Sequence, residues 1–158
     1  MMDEDARRAR AIARQTEAMR DFQARSVMFQ DAVARSVALN STDLQAVGLL
    51  LSEGPATPGE LAMRTGLTAG GAVTAMIDRL ERAGYVARSR DEQDRRRVIV
   101  SANADTLMRE VGPAYGRVSE LWGEYLDSLT TEQVEFAAEM LRAAAEVNRQ
   151  VVEELRRG

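Results

Sequence analysis

Arg95, Arg96 and Arg97 stand side by side behind Asp91, Glu92 and Asp94. Adjacent guanidiniums repel one another, so such a run has little use inside a fold. It has a use against a narrow DNA minor groove, which concentrates negative potential. Guanidinium also forks onto phosphate oxygens, as an ammonium does not. Asp94 can hold one guanidinium in place while another stays free. A solvated charge run in a turn is the plain alternative for the same residues. Upstream, Gly70, Gly71, Thr74 and Ala75 lie opposite the apolar positions of one helical stretch. Small residues there let backbone approach a phosphate or base edge closely. An ordinary capped helix with a glycine-softened start is the alternative for this stretch.

Other chemistries find no residues. Cys and His are both absent. That excludes a disulfide framework, a thiol sensor, a zinc site and a histidine base, and leaves only oxygen-ligand metal binding. No Ser or Lys nucleophile arrangement is visible, so the expectation is a protein that is not an enzyme and carries no cofactor or metal.

The elements that position these residues read clearly. Thr57-Pro58-Gly59-Glu60 is a capping box with Pro at the first helical position. Leu61, Ala62 and Leu67 face inward, and Gly66 supplies a left-handed turn. Thr68 is expected to cap the next helix, whose Val73, Met76, Ile77 and Leu80 fall at i, i+3, i+4 and i+7. Ala83-Gly84 ends it. Residues 85–90 and 97–101 read as two strands, with Val98 and Val100 on one face and 91–96 as the connecting tip. A helix, a turn, a second helix and a basic hairpin, in that order, make a winged helix-turn-helix. The expected fold is mainly α, with this domain at 40–102.

Before it, residues 3–39 are rich in Ala and Arg without Gly or Pro. One long helix is expected there, broken near Asp21 and frayed over its first dozen residues. Asn40-Ser41-Thr42-Asp43 caps the next helix, with Leu44, Val47, Leu50 and Leu51 as its buried stripe. After the wing, residues 103–128 read as a helix that Pro113 kinks. Thr130-Thr131-Glu132-Gln133 caps a last helix. There Val134, Ala137, Leu141, Ala144, Asn148, Val151 and Leu155 form a heptad seam.

Charge is segregated along the chain. Residues 79–97 hold seven arginines against four acids, a net +3, while the whole chain is −4. An acidic total argues against a non-specific nucleic-acid coat but permits a local basic face. All 21 basic residues are Arg, which a genome-wide base-composition bias explains as simply as function does. No run approaches the ~20 apolar residues that span a bilayer. The charged N-terminal stretch lacks a signal-peptide core, so a cytoplasmic location is expected.

TPGELAMRTGLTAGGAVTAMI followed by DRLERAGYVARSRDEQDRRRVIV resembles the multiple-antibiotic-resistance regulator (MarR) family of bacterial repressors. The resemblance covers roughly residues 39–101. It implies a homodimer that presents one recognition helix and one wing per subunit to a pseudo-palindromic site on double-stranded DNA. It places Thr68, Gly71 and Thr74 on the DNA face of the recognition helix and Arg96 in the minor groove. Asp94 and Arg79 fall at positions that shape and brace the wing. Thr57, Gly70, Arg79 and Arg95 complete the expected DNA-contacting set. Gly70-Gly71 departs from the larger polar residues usual there, so more of the specificity is expected from DNA shape and the wing.

A winged domain needs no such flanks for itself. Long amphipathic helices at 1–39 and 103–158 are expected where two chains bury a shared core, with Leu141, Asn148, Val151 and Leu155 in the seam and Asn148 fixing register. Packing within one subunit is the alternative. Phe22, Phe29, Trp122 and Tyr125 are core candidates. The family resemblance adds a crevice for a small aromatic effector that releases a repressor. From a different functional class, a winged helix used as a protein-interaction module stays open.

Overall fold

The computed structural model describes residues 2–67 and 70–157. The chain forms two compact units, Met1–Pro113 and Ala114–Gly158. The first carries helices α1 (Met2–Ser36), α2 (Ser41–Ser52), α3 (Pro58–Thr65) and α4 (Gly71–Arg82). Strands β1 (Val86–Arg90) and β2 (Val98–Ala102) and helix α5 (Ala104–Glu110) complete it.

Helix α1 runs without the expected break at Asp21. The Asp21 carboxylate takes Arg25 one turn later at 2.9 Å, a pairing that supports a helix rather than ending it. The helix is continuous from Met2. Asp3, Glu4 and Asp5 fill the first turn, where negative charge meets the exposed N–H groups of the helix dipole.

Helix α2 begins at Asn40, whose side chain accepts the Asp43 N–H. Its buried stripe is Leu44, Ala46, Val47 and Leu50. Leu51, expected inside, is 56% exposed; one further residue rotates a helical side chain by about 100°, off the core-facing stripe. Helix α3 has the full capping box, with Pro58 at its start and Gly66 at φ 71° behind it.

Helix α4 is capped two residues later than expected, at Gly70 rather than Thr68. The cap position is Gly70, at φ 117° and ψ −137°, with no side-chain cap. Only glycine takes that conformation without strain. Thr68 lies outside the described residues. Val73, Met76, Ile77 and Leu80 are all buried. Burying side chains of this size contributes about 1.5–3 kcal/mol each, which fixes α4 to the core by one stripe.

The strands pair antiparallel, Val86 opposite Ala102 through Arg90 opposite Val98. Val100 is fully buried and exchanges backbone bonds of 2.8 and 3.0 Å with Ala56, just ahead of α3. Asn103 then caps α5 by accepting the Thr106 N–H.

The expected kinked helix over 103–128 is instead two helices. Helix α5 ends at Glu110 and α6 (Gly112–Leu126) follows after Val111. Pro113 falls in the first turn of α6, where its missing N–H would be unpaired anyway. In the second unit, α7 (Thr131–Arg157) starts with a reciprocal cap: Thr130 N–H donates to Gln133 Oε1 at 2.9 Å, and Gln133 N–H returns to Thr130 Oγ1 at 3.3 Å. No helix among the described residues is long and apolar enough to cross a membrane.

Candidate nucleic-acid interface

The hairpin tip owes its shape to two aspartates. Asp91 Oδ1 accepts the N–H groups of Gln93 at 2.8 Å and Asp94 at 3.1 Å. Asp94 Oδ1 accepts the Arg96 N–H at 3.0 Å. Backbone bonds Asp91 N–H to Arg97 O (3.1 Å) and Arg97 N–H to Asp94 O (2.8 Å) close the loop. These are successive Asx turns, in which a short carboxylate replaces a backbone acceptor. The Gln93 N–H, then the Asp94 N–H and the charge of Arg97, hold the Asp91 carboxyl below its ordinary range.

Asp94 therefore structures the wing, but not by the route expected for it. It takes a backbone amide rather than a guanidinium, because a carboxylate two residues upstream reaches the amide with no long side chain to order. Asp91 shares this role without belonging to the expected set. Its signal is legible in the sequence: an Asp two and three residues before polar tip residues is the Asx-turn spacing.

The three tip arginines divide. Arg97 points back to Glu60 of α3, with Nη2 at 3.6 Å from the carboxylate. Arg95 and Arg96 are exposed, and neither guanidinium has a hydrogen bond or ion pair among the described residues. Two cations are thus presented on a loop whose backbone is fixed.

On α4, Gly71, Ala72, Thr74, Ala75 and Asp78 are exposed along with Gly70 ahead of it. A Cβ built at Gly71 meets nothing within 4 Å. The helix therefore has a bare outer face with no large side chain in its first turn.

Two residues expected at this surface are occupied elsewhere. Thr57 works within its cap: its hydroxyl accepts the Glu60 N–H at 3.3 Å and donates to Glu60 Oε2 at 2.9 Å. Arg79 reaches away from the wing to α2. Its Nη2 and Nε donate to the two oxygens of Asp43, at 2.7 and 3.3 Å. Asp43 is only 3% exposed and also accepts from Asn40 Nδ2 at 3.0 Å. A buried carboxylate demands a paired charge, so it claims Arg79. The wing is braced instead by Arg88 of β1, whose guanidinium reaches Asp78 and Glu81 on α4. No local pattern marks that residue.

None of the aromatic candidates is among the fully buried residues. In the first unit Phe22 is 56% exposed and Phe29 is half-buried. In the second, the Trp122 and Tyr125 rings lie 5.3 Å apart and are both about half exposed. Leu141, Asn148, Val151 and Leu155 are likewise exposed on α7.

Comparison with known proteins agrees with the winged architecture. The MarR family model matches residues 39–98. The uncharacterized HTH-type transcriptional regulator YcgE of Bacillus subtilis (strain 168) is 36% identical over 132 residues, 84% of each chain. A MarR family protein from Bacillus stearothermophilus has the same fold, with a TM-score of 0.69 at 24% identity over 89% of this chain and 96% of that one. A point mutant of S. aureus MepR, solved bound to an oligodeoxyribonucleotide, gives 0.58 at 18% identity over 84% and 97%. Family and relative are transcriptional regulators, not enzymes. With a winged segment that fits the family model and a relative matched along most of its length, the chain belongs to the MarR family of transcriptional regulators.

Proposed function

We propose that the protein is a homodimeric repressor that reads a pseudo-palindromic operator in double-stranded DNA. Helix α4 enters the major groove with Gly70, Gly71 and Thr74 toward the bases, and Arg95 and Arg96 enter the adjacent minor groove. The observation that carries this reading is the pair of guanidiniums, unpartnered among the described residues, on a backbone-locked hairpin. A DNA-bound structure of a protein with the same fold supports it. Anisotropy titration of the duplex flanking the protein's own gene, beside a scrambled duplex and at several salt concentrations, tests it. Tighter binding to the native duplex, with affinity falling steeply as salt rises, is expected because each neutralised phosphate adds about 0.9 to the log–log slope. Equal, weak binding with a shallow slope would instead favour a protein partner for the winged domain.

Gly71→Ala separates fold from contact at α4. The added methyl has open space in the protein, and Ala is the better helix former by roughly 0.8–1 kcal/mol. Thermal stability is therefore expected to hold or rise slightly. Operator affinity is expected to fall if DNA backbone comes within van der Waals reach of that position. An unchanged affinity would place the DNA farther off.

The dimer reading rests on apolar side chains that one chain leaves uncovered. On α6 these are Val118, Leu121, Trp122 and Tyr125; on α7 they include Leu141, Val151 and Leu155. Val151→Asp combined with Leu155→Asp is expected to shift sedimentation from dimer toward monomer and weaken DNA binding with it. A double variant that stays dimeric at micromolar concentration would remove that seam from the interface. Phe22 and Phe29 of the first unit, and separately Trp122 and Tyr125 of the second, are the proposed aromatic contacts for a releasing effector. A saturating screen of small aromatic acids and phenols that changes neither melting temperature nor operator affinity would count against them.

A further inference from the structure

We propose that Arg88 is a positioning residue: it sets the angle between the wing and α4 and thereby decides whether Arg96 reaches the minor groove. This rests on the reading that α4 and the wing engage one stretch of DNA.

Arg88 sits on β1, before the tip, and its guanidinium bridges Asp78 and Glu81 on α4. Those acids are three residues apart, hence neighbours on one helix face. The second Glu81 oxygen accepts the Arg88 backbone N–H at 3.1 Å. Strand and helix are therefore joined through both the main chain and the side chain of one residue. On the other strand, the partner of Arg88 is Val100, which is bonded to Ala56. Arg97 adds its contact to Glu60 of α3. The hairpin is held on the α3 side through β2 and on the α4 side through Arg88.

Removing the α4 tie leaves the fold its core. Tyr85, Val86 and Val100 stay buried, and the β1–β2 ladder does not use the Arg88 side chain. Ion pairs this open to water contribute little to folding. Their mechanical effect is larger than their energy. A tip some four residues past Arg88, at ~3.3 Å per residue, moves roughly 2 Å for a tilt of ~10° at the base. That is about a third of a ~6 Å minor groove. Arg88 also offsets two carboxylates on the helix expected to face phosphates.

A double-mutant cycle on operator DNA measures the coupling. In the parent protein, Arg96→Ala is expected to weaken binding roughly 5- to 150-fold. In an Arg88→Ala background the same change is expected to cost less than about twofold, because the wing has already left its groove. Equal losses in both backgrounds would overturn the role of Arg88 alone. No loss in the parent would overturn the docking reading, and this inference with it. Asp78→Asn with Glu81→Gln provides a second route that leaves Arg88 in place. It weakens the tie while making the surface more positive. If Arg88 positions the wing, the Arg96→Ala loss shrinks here too. If it persists in full, Arg88 acts by charge and the positioning role is wrong.

Discussion

Replacing Arg96 with Ala lowers operator affinity by about 1–3 kcal/mol and leaves the melting temperature unchanged. The two halves of that expectation come from different atoms of one residue. Its backbone N–H is bonded to Asp94 and holds the tip in shape; Ala retains that bond. Its guanidinium has no protein partner among the described residues, so truncation removes nothing the fold uses. Arg95→Ala in addition deepens the loss, and each removed phosphate contact reduces the salt slope by about 1. Anisotropy at several salt concentrations, with a thermal melt of each variant, supplies both readings. If affinity and slope stay at the parent values, the wing does not touch DNA.

Arg79→Ala has the reverse profile: stability falls by about 2–4 kcal/mol, below the ~3–5 kcal/mol seen when a fully buried pair loses one partner. The discount is for Arg79, whose side chain is about half in water while Asp43 is almost wholly inside. Without the guanidinium, the Asp43 carboxylate keeps Asn40 and little else. Lys is a poor substitute, since a single ammonium cannot fork onto both oxygens. Urea unfolding of the parent, Arg79→Ala and Arg79→Lys tests this directly. A loss below about 0.5 kcal/mol, the scatter of ordinary surface changes, would mean that Asp43 is satisfied without Arg79. Two arginines in the same expected DNA-contacting set are thus predicted to act on opposite quantities.

The contrast shows what the chain discloses without coordinates. The capping box at Thr57 and Glu60, the left-handed Gly66 and the apolar stripe of α4 were legible because each depends on residues within one or two turns. The Asp43–Arg79 pair spans 36 positions, and no local pattern links the first turn of one helix to the last turn of a later one. Pro113 shows a different limit. A proline kinks a helix or begins one according to what the preceding residue does, and Val111 breaks the run. At the wing, three adjacent arginines read as one feature. Which one folds back depends on where Glu60 ends up, and that is fixed by the packing of α3 against β2. The arginine-tipped hairpin was thus legible as a unit, whereas its division into a tether and two free cations was not.

The rung formed by Arg88 and Val100 has one more consequence, for how copies of this protein avoid one another. A two-stranded ribbon has two raw rims, each able to recruit a strand from another molecule. Here, at that rung, one rim is closed by the Ala56 backbone and the other by the Glu81 carboxylate on the Arg88 N–H. Farther out, the ribbon carries Arg90, Arg95 and Arg96, and like charges repel an incoming copy of the same ribbon. The wing can therefore project into solvent without templating sheet growth, and lesions that uncap both rims are where aggregation would begin.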